Sequence, residues 1–239
     1  MPILDVRWLC LDYIQGQKAR SILKNLNLAI EKPGIFSLLG QNGSGKTSFL
    51  RTIVWLQQFQ AGEIIFFWNK KTDRNWFWEK IGYAPDAPGL YDFLTGRDHI
   101  DFFRHMSWKK LPEAVVFELV NQLWLSFALD KKVGSYSRGM RQRLGLIISL
   151  LHDPELLIRD EPMSALDPLG RLAVKKLMDR LVSQGKTLFF STHILSDVAE
   201  KADEFFLLDG WKIIDSSSGK KITNIETYYQ EKIFSSDLR

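Results

Sequence analysis

The stretch Ile35 to Leu39, IFSLL, runs straight into Gly40-Gln41-Asn42-Gly43-Ser44-Gly45-Lys46-Thr47, and this junction constrains the chain more than any other part of it. The octet has the form G-x-x-x-x-G-K-[ST]. The apolar run before it reads as a buried strand, and Thr47 to Gln58 after it reads as a helix. Three glycines let the backbone turn tightly and approach a phosphate closely. Successive N–H groups then form an anion nest, and the helix N-terminus adds its positive dipole end. Lys46 brings a full charge to the β- and γ-phosphates of a nucleotide. Thr47 brings a hydroxyl to Mg²⁺, which prefers oxygen ligands.

A second constellation lies downstream. Leu156 to Pro162, LLIRDEP, is a buried-strand pattern that ends in two carboxylates. Asp160 at the strand end is expected beside the phosphate loop, holding Mg²⁺ through water. Glu161 is placed to orient and deprotonate a water attacking the γ-phosphate. His193 ends the next expected strand, 33 residues after Asp160, a strand–helix–strand distance. A parallel neighbour brings it to the same sheet edge, as a hydrogen-bond link between phosphate, water and a facing subunit.

The remaining pattern fills in the architecture. Strands are expected at Ile3 to Tyr13, Leu26 to Ile30, Glu63 to Trp68, Ile81 to Ala84, Leu156 to Ile158 and Thr187 to Ser191. Glu204 to Leu208 and Trp211 to Ile214 flank Asp209-Gly210, a hairpin signal. Helices are expected from about Met140 to His152 and Leu169 to Ser183. From about Arg97 to Leu129 apolar residues recur at helical spacing, as in Ile100, Phe103, Phe117, Val120, Leu123 and Trp124. The fold class is therefore α/β: a phosphate-loop NTPase sheet with an antiparallel β subdomain and an inserted α-helical subdomain. A single domain is expected over residues 1–239, with the helical subdomain at about 86–150 and a short tail at 216–239. Ser216 to Lys221 reads as a loop, and Tyr228 and Tyr229 are expected to be buried against the sheet.

Composition narrows the function classes. The net charge of +4, from 32 basic and 28 acidic residues, is too mild to mark a nucleic-acid binder. Cys10 is the single cysteine, which excludes an internal disulfide and points to a reducing compartment. The apolar run Leu144 to Leu151 falls far short of the roughly 20 residues that a spanning helix needs. The N-terminal MPILDVRWLC carries Asp5 and Arg7 and is not a secretory signal. The 13% aromatic content reads mainly as a Phe-rich core.

In this order the motifs resemble those of the ATP-binding subunits of ABC transporters, over roughly residues 3–215. Tyr136-Ser137-Arg138-Gly139-Met140 stands where that family keeps its signature, usually LSGGQ, and Arg141-Gln142-Arg143-Leu144 continues the pattern. Ser164-Ala165-Leu166-Asp167 looks like its D-loop. Tyr13, 33 residues before Lys46, stands where the family places an aromatic that stacks on adenine. The resemblance implies a nucleotide-binding set of Tyr13, Gly40, Gln41, Asn42, Gly43, Ser44, Gly45, Lys46, Thr47 and Ser48. It implies metal-associated residues Thr47, Asp86 and Asp160, with Glu161 and His193 catalytic. It also implies a head-to-tail homodimer or heterodimer around two ATP molecules. Ser137, Arg138, Gly139 and Met140 of one subunit then face the ATP of the other, with Asp167 in the D-loop.

The implied function is ATP hydrolysis that powers transport through a separate integral membrane permease. The signature points to the ABC-2 export branch. ATP and Mg²⁺ are the implied cofactors, and no nucleic acid is expected. The helical subdomain would dock on the permease, placing the chain in the cytoplasm, peripheral on the inner face of the cell membrane. The alternative is a soluble or weakly hydrolysing ABC-type ATPase with a regulatory, nucleic-acid or ribosomal role. Five positions depart from the family pattern. Asp86 replaces a glutamine that reaches Mg²⁺ and water, Arg138 replaces a glycine, and Met140 replaces a glutamine. Arg159 stands where an apolar residue is usual, and a charge buried there costs free energy unless it is paired. Trp55 replaces a common glycine after the phosphate-loop helix.

Overall fold

The computed structural model describes residues 2–15, 18–67, 74–107, 109–218, 222 and 224–237. In chain order the first elements are β1 (Leu4–Gln15), β2 (Lys18–Ile30), β3 (Ile35–Leu39), α1 (Lys46–Ile53), β4 (Ala61–Phe66), α2 (Arg74–Lys80) and β5 (Ile81–Ala84). They are followed by α3 (Gly96–Met106), α4 (Glu113–Gln122), α5 (Arg138–Leu150), β6 (Leu156–Asp160), α6 (Pro168–Ser183) and β7 (Thr187–Thr192). The chain ends with α7 (Leu195–Lys201), β8 (Glu204–Asp209), β9 (Lys212–Ser217) and α8 (Ile225–Asp237). These residues form two compact units, Met1–Thr72 with Phe189–Arg239, and Asp73–Leu188.

In the first unit β2, β1 and β4 make an antiparallel sheet in that order. Its register shifts past Val6, where Trp8 takes a left-handed φ of 51°. A second sheet runs β7-β3-β8-β9, with β3 parallel to β8 and β8 antiparallel to β9. All five residues of β3 are buried, as its unbroken apolar run requires. Helix α1 buries Phe49, Leu50 and Ile53. Phe49 meets Phe189 edge to face at 6.2 Å, and Phe189 meets Phe206 at 6.3 Å, so β7 and β8 anchor the helix that opens at the phosphate loop.

In the second unit β5 and β6 pair in parallel, Ile81 opposite Leu156 and Ala84 opposite Arg159. Helix α5 lies hard against β5, because a Cβ on Gly82 would fall 2.3 Å from the Ser149 carbonyl oxygen. Thr95 and Asp98 form a capping box that starts α3. The continuous helical pattern of the middle resolves into α3, α4 and single 3₁₀ turns at Ser126–Ala128 and Val133–Ser135.

Several expectations from sequence are corrected. α1 stops at Ile53, not Gln58, in a Schellman ending. The Trp55 N–H donates to the Thr52 carbonyl at 3.1 Å, and the Leu56 N–H to that of Arg51 at 2.9 Å. That ending needs a left-handed residue, and Trp55 supplies it with φ 59°, which is the position where glycine is usual. β2 begins eight residues earlier than expected, at Lys18 rather than Leu26. β4 covers Ala61–Phe66, and Trp68 lies outside the described residues. Ser216 and Ser217 belong to β9, while residues 219–221 of the expected loop lie outside the described residues. α2, α7 and α8 were not expected at all. Tyr228 and Tyr229 on α8 are half-buried, packed against Leu39, Val198 and Phe205.

Candidate nucleotide site

The phosphate loop turns through two left-handed glycines, Gly43 at φ 81° and Gly45 at φ 104°. Gly40 at its start admits no side chain, since a Cβ would lie 2.6 Å from the Leu208 carbonyl oxygen and 2.8 Å from Ser44 Oγ. The Lys46 ammonium is buried and donates to the carbonyls of Gly40 at 2.8 Å and Gln41 at 2.9 Å. Ser44 Oγ is buried with no hydrogen-bond partner among the described residues. Gln41, Asn42 and Gly43 are exposed, so the concave loop opens outward.

Two further expected residues belong to the same unit. The Tyr13 hydroxyl lies 2.9 Å from Ser48 Oγ and donates to Gln57 Oε1 at 3.2 Å, which ties a ring 40% exposed to the first turn of α1. His193 directly follows Thr192, whose carbonyl accepts the Gly40 N–H at 3.3 Å. It is exposed at the end of β7, the sheet edge where the phosphate loop begins. One neighbour was missed from sequence: Tyr229 of α8 lies beside the Gln41 side chain. Burial pushes the Tyr229 phenol above its ordinary pKa, with Asp209 adding to the rise and Gln41 opposing it.

The second unit carries the carboxylates and the signature segment. Asp160 is buried at the end of β6. Glu161 follows with a left-handed φ of 46°, uncommon for a residue with a side chain and a mark of a constrained site. Ser137 caps α5 by accepting the Met140 N–H at 3.2 Å, and Asp167 caps α6 by accepting the Gly170 N–H at 3.0 Å. Gly139 lets the signature approach the D-loop, because a Cβ there would lie 2.9 Å from the Ala165 carbonyl oxygen.

Asp86 is enclosed by donors. Its Oδ2 accepts from Arg138 Nη2 at 2.7 Å. Its Oδ1 accepts from Gln142 Nε2 at 2.6 Å and from Ser164 Oγ at 3.1 Å. The sequence placed Gln142 just after the signature and Ser164 in the D-loop, but did not link either to Asp86. The signal available was helical spacing, since Arg138 and Gln142 stand four apart on one face of α5. Arg159 is 3% exposed, and its Nη2 donates to the Gln142 carbonyl at 3.1 Å. Its Nε and Nη1 have no hydrogen-bond partner among the described residues. Burial pushes its pKa down to about 10, against the opposing charges of Asp86 and Asp160. Among the described residues, no group of three or more His, Cys, Asp or Glu is arranged to hold a metal alone.

An α/β chain with an antiparallel subsheet, a phosphate loop opening α1 and a capped signature helix defines a phosphate-loop nucleotide-binding protein. Residues 23–164 match the ABC transporter family. An uncharacterised ABC transporter ATP-binding protein of Synechocystis sp. is 34% identical over 219 residues, which are 90% of this chain and 61% of that protein. The lantibiotic transport ATP-binding protein SrtF of Streptococcus pyogenes is 33% identical over 217 residues, 90% of this chain and 92% of SrtF. A solved dimeric ATP-binding cassette, in a post-hydrolysis state bound to ADP and Pi, superposes with a TM-score of 0.82 at 21% identity, over 92% of this chain and all of that one. The chain belongs to the ATP-binding proteins of the ABC transporter family.

Proposed function

We propose that this chain hydrolyses ATP as a head-to-tail dimer and thereby powers transport, in the export direction, through a separate membrane permease. The phosphate loop carries the reading: two left-handed glycines, a buried Lys46 and Ser44 Oγ, buried without a partner among the described residues, make a cradle that suits a polyphosphate. Tyr13 offers its ring to adenine. Thr47 and Asp160 offer oxygens that suit Mg²⁺, and the metal, when bound, neutralises charge developing on the phosphates. Glu161 takes the proton of the attacking water, and His193 hydrogen-bonds at the γ-phosphate. Ser137 and the Gly139 N–H act on the facing subunit's ATP, so the electrostatic stabilisation is complete only when the dimer closes.

The transport role is supported by family membership and by the name of SrtF, and the export direction by resemblance to the ABC-2 branch. No helix among the described residues is long and apolar enough to cross a membrane, which suits a partner that supplies the spans. Glu161→Gln tests the chemistry. Hydrolysis is expected to fall by about 10²- to 10⁴-fold with ATP binding retained, and an ATP-stabilised dimer should appear on size exclusion. Undiminished turnover refutes the assigned base. A tagged pull-down from detergent-solubilised membranes tests the partner. A polytopic protein is expected, whereas an exclusively soluble or ribosomal set favours a soluble ABC-type ATPase.

A further inference from the structure

The position of Asp86 marks it for the metal, yet its surroundings give its carboxylate other work. Each oxygen already accepts from a side chain: Oδ2 from Arg138, Oδ1 from Gln142 and Ser164. Arg138 opens α5 one residue after its cap Ser137, Gln142 lies one turn on, and Ser164 begins the D-loop segment. One carboxylate therefore ties three segments together: its own loop after β5, the signature and the D-loop. The loop is also pinned from behind, since a Cβ on Gly145 of α5 would lie 2.9 Å from Pro88 Cβ. Arg159, buried nearby, adds a second positive charge to this environment. A metal ion on this carboxylate would have to share it with three donors and sit near two guanidinium groups, an arrangement that Coulomb repulsion disfavours.

We propose that Asp86 is a positioning residue that clamps the signature segment and the D-loop through Arg138, Gln142 and Ser164, and is not a metal ligand. The inference rests on the ATPase reading above. The clamp holds Ser137 and Gly139 in the orientation needed at the facing subunit's γ-phosphate. Its loss should therefore lower turnover in the closed dimer without weakening ATP capture by the phosphate loop.

The test uses the full chain and its steady-state ATPase activity, with Asp86→Asn, Arg138→Gln, Arg138→Lys and the double variant Asp86→Asn/Arg138→Gln. Asp86→Asn and Arg138→Gln should each lower kcat by about three- to tenfold, with KM for ATP and the Mg²⁺ concentration for half-maximal activity unchanged within twofold. The double variant should be no worse than the poorer single one, because both remove the same interaction. Arg138→Lys keeps the charge and should recover most of the activity. Arg138 is exposed, so its variants report on the clamp even where Asp86→Asn unfolds beside Arg159. A Mg²⁺ requirement raised tenfold or more by Asp86→Asn, with Arg138→Gln unaffected, makes Asp86 a metal ligand and overturns the clamp. Multiplicative losses in the double variant overturn it too. A wild-type chain that neither binds nor turns over ATP overturns the ATPase reading and the clamp together, whereas independent effects in an active chain overturn the clamp alone.

Discussion

Replacing Arg159 with methionine should make the protein more stable. Arg159 is 3% exposed, with one hydrogen bond, to the Gln142 carbonyl, and two guanidinium nitrogens unsatisfied among the described residues. Burial lowers its pKa from the ordinary guanidinium value to about 10, so holding it charged at neutral pH costs about 3 kcal/mol. The sign follows from linkage. A base whose folded-state pKa is depressed carries this cost in full below the folded pKa, and sheds it only as pH rises from about 10 towards the unfolded value. Methionine removes the charge while keeping a long flexible side chain. The lost hydrogen bond is worth about 1 kcal/mol, and the Gln142 carbonyl lies within α5, where it keeps the possibility of a helical donor. Asp160 also loses a favourable neighbour. The net gain should be about 1–2 kcal/mol, which raises the melting temperature by about 2–8 °C in a chain this long. Thermal unfolding followed by tryptophan fluorescence at pH 7 measures it. A variant less stable than wild type by more than about 1 kcal/mol would show that the guanidinium charge is net favourable in its site, and would refute the reasoning.

Lys46→Ala should weaken ATP binding by about 10- to 100-fold, the worth of a charge-assisted contact to phosphate, as read by nucleotide titration. Gly40→Ala places a Cβ 2.6 Å from the Leu208 carbonyl oxygen, so it should distort the loop, destabilise the fold by about 1–3 kcal/mol in urea titration and weaken ATP binding with it. His152 sits largely buried at the end of α5, and burial depresses its pKa despite the hydrogen bond to the Ile81 carbonyl. Its contribution is full above the imidazole's ordinary value and lost as pH falls through the depressed one. Urea unfolding should thus show stability declining below about pH 6.5, less steeply in His152→Gln.

The parts legible in the sequence were those where backbone geometry or complete burial leaves few choices. Gly43 and Gly45 announce a loop because few other residues take their φ values at low cost. β3 and β5 read to the residue because short apolar runs fit strands buried on both faces. The end of α1 did not read, since it turns on a left-handed residue that is tryptophan here. Trp124 repeats the device after α4, with φ 50° and the Leu125 N–H donating to the Val120 carbonyl at 2.9 Å. The aromatic richness is thus partly a matter of where tryptophan replaces glycine, not only of the core. α8 was missed because the face it packs on the core, Ile225, Tyr228 and Tyr229, is mostly tyrosine, whose polar hydroxyl weakens the apolar signal: Tyr228 is held by its hydroxyl on Asp215 at 2.6 Å, while Phe234 is exposed. Its contact with Gln41 joins positions far apart in sequence, which no local pattern encodes.

Three departures from the family pattern, each unexplained alone, make physical sense together. A carboxylate at 86 is a poor exchange for glutamine if its task is the same, being shorter and charged. An arginine at 138 has no evident reason in a signature segment that works with glycine. An arginine at 159 is costly in a buried strand. In the structure the carboxylate pairs with the first arginine at 2.7 Å and supplies an opposing charge to the second. Remove Asp86 and Arg138 loses its partner while Arg159 loses one of its two countercharges. Remove both arginines and Asp86 has only Gln142 and Ser164 to justify a charge. The energetics of each position depend on the other two, so single substitutions at these sites should not be read as independent measures of what each residue does.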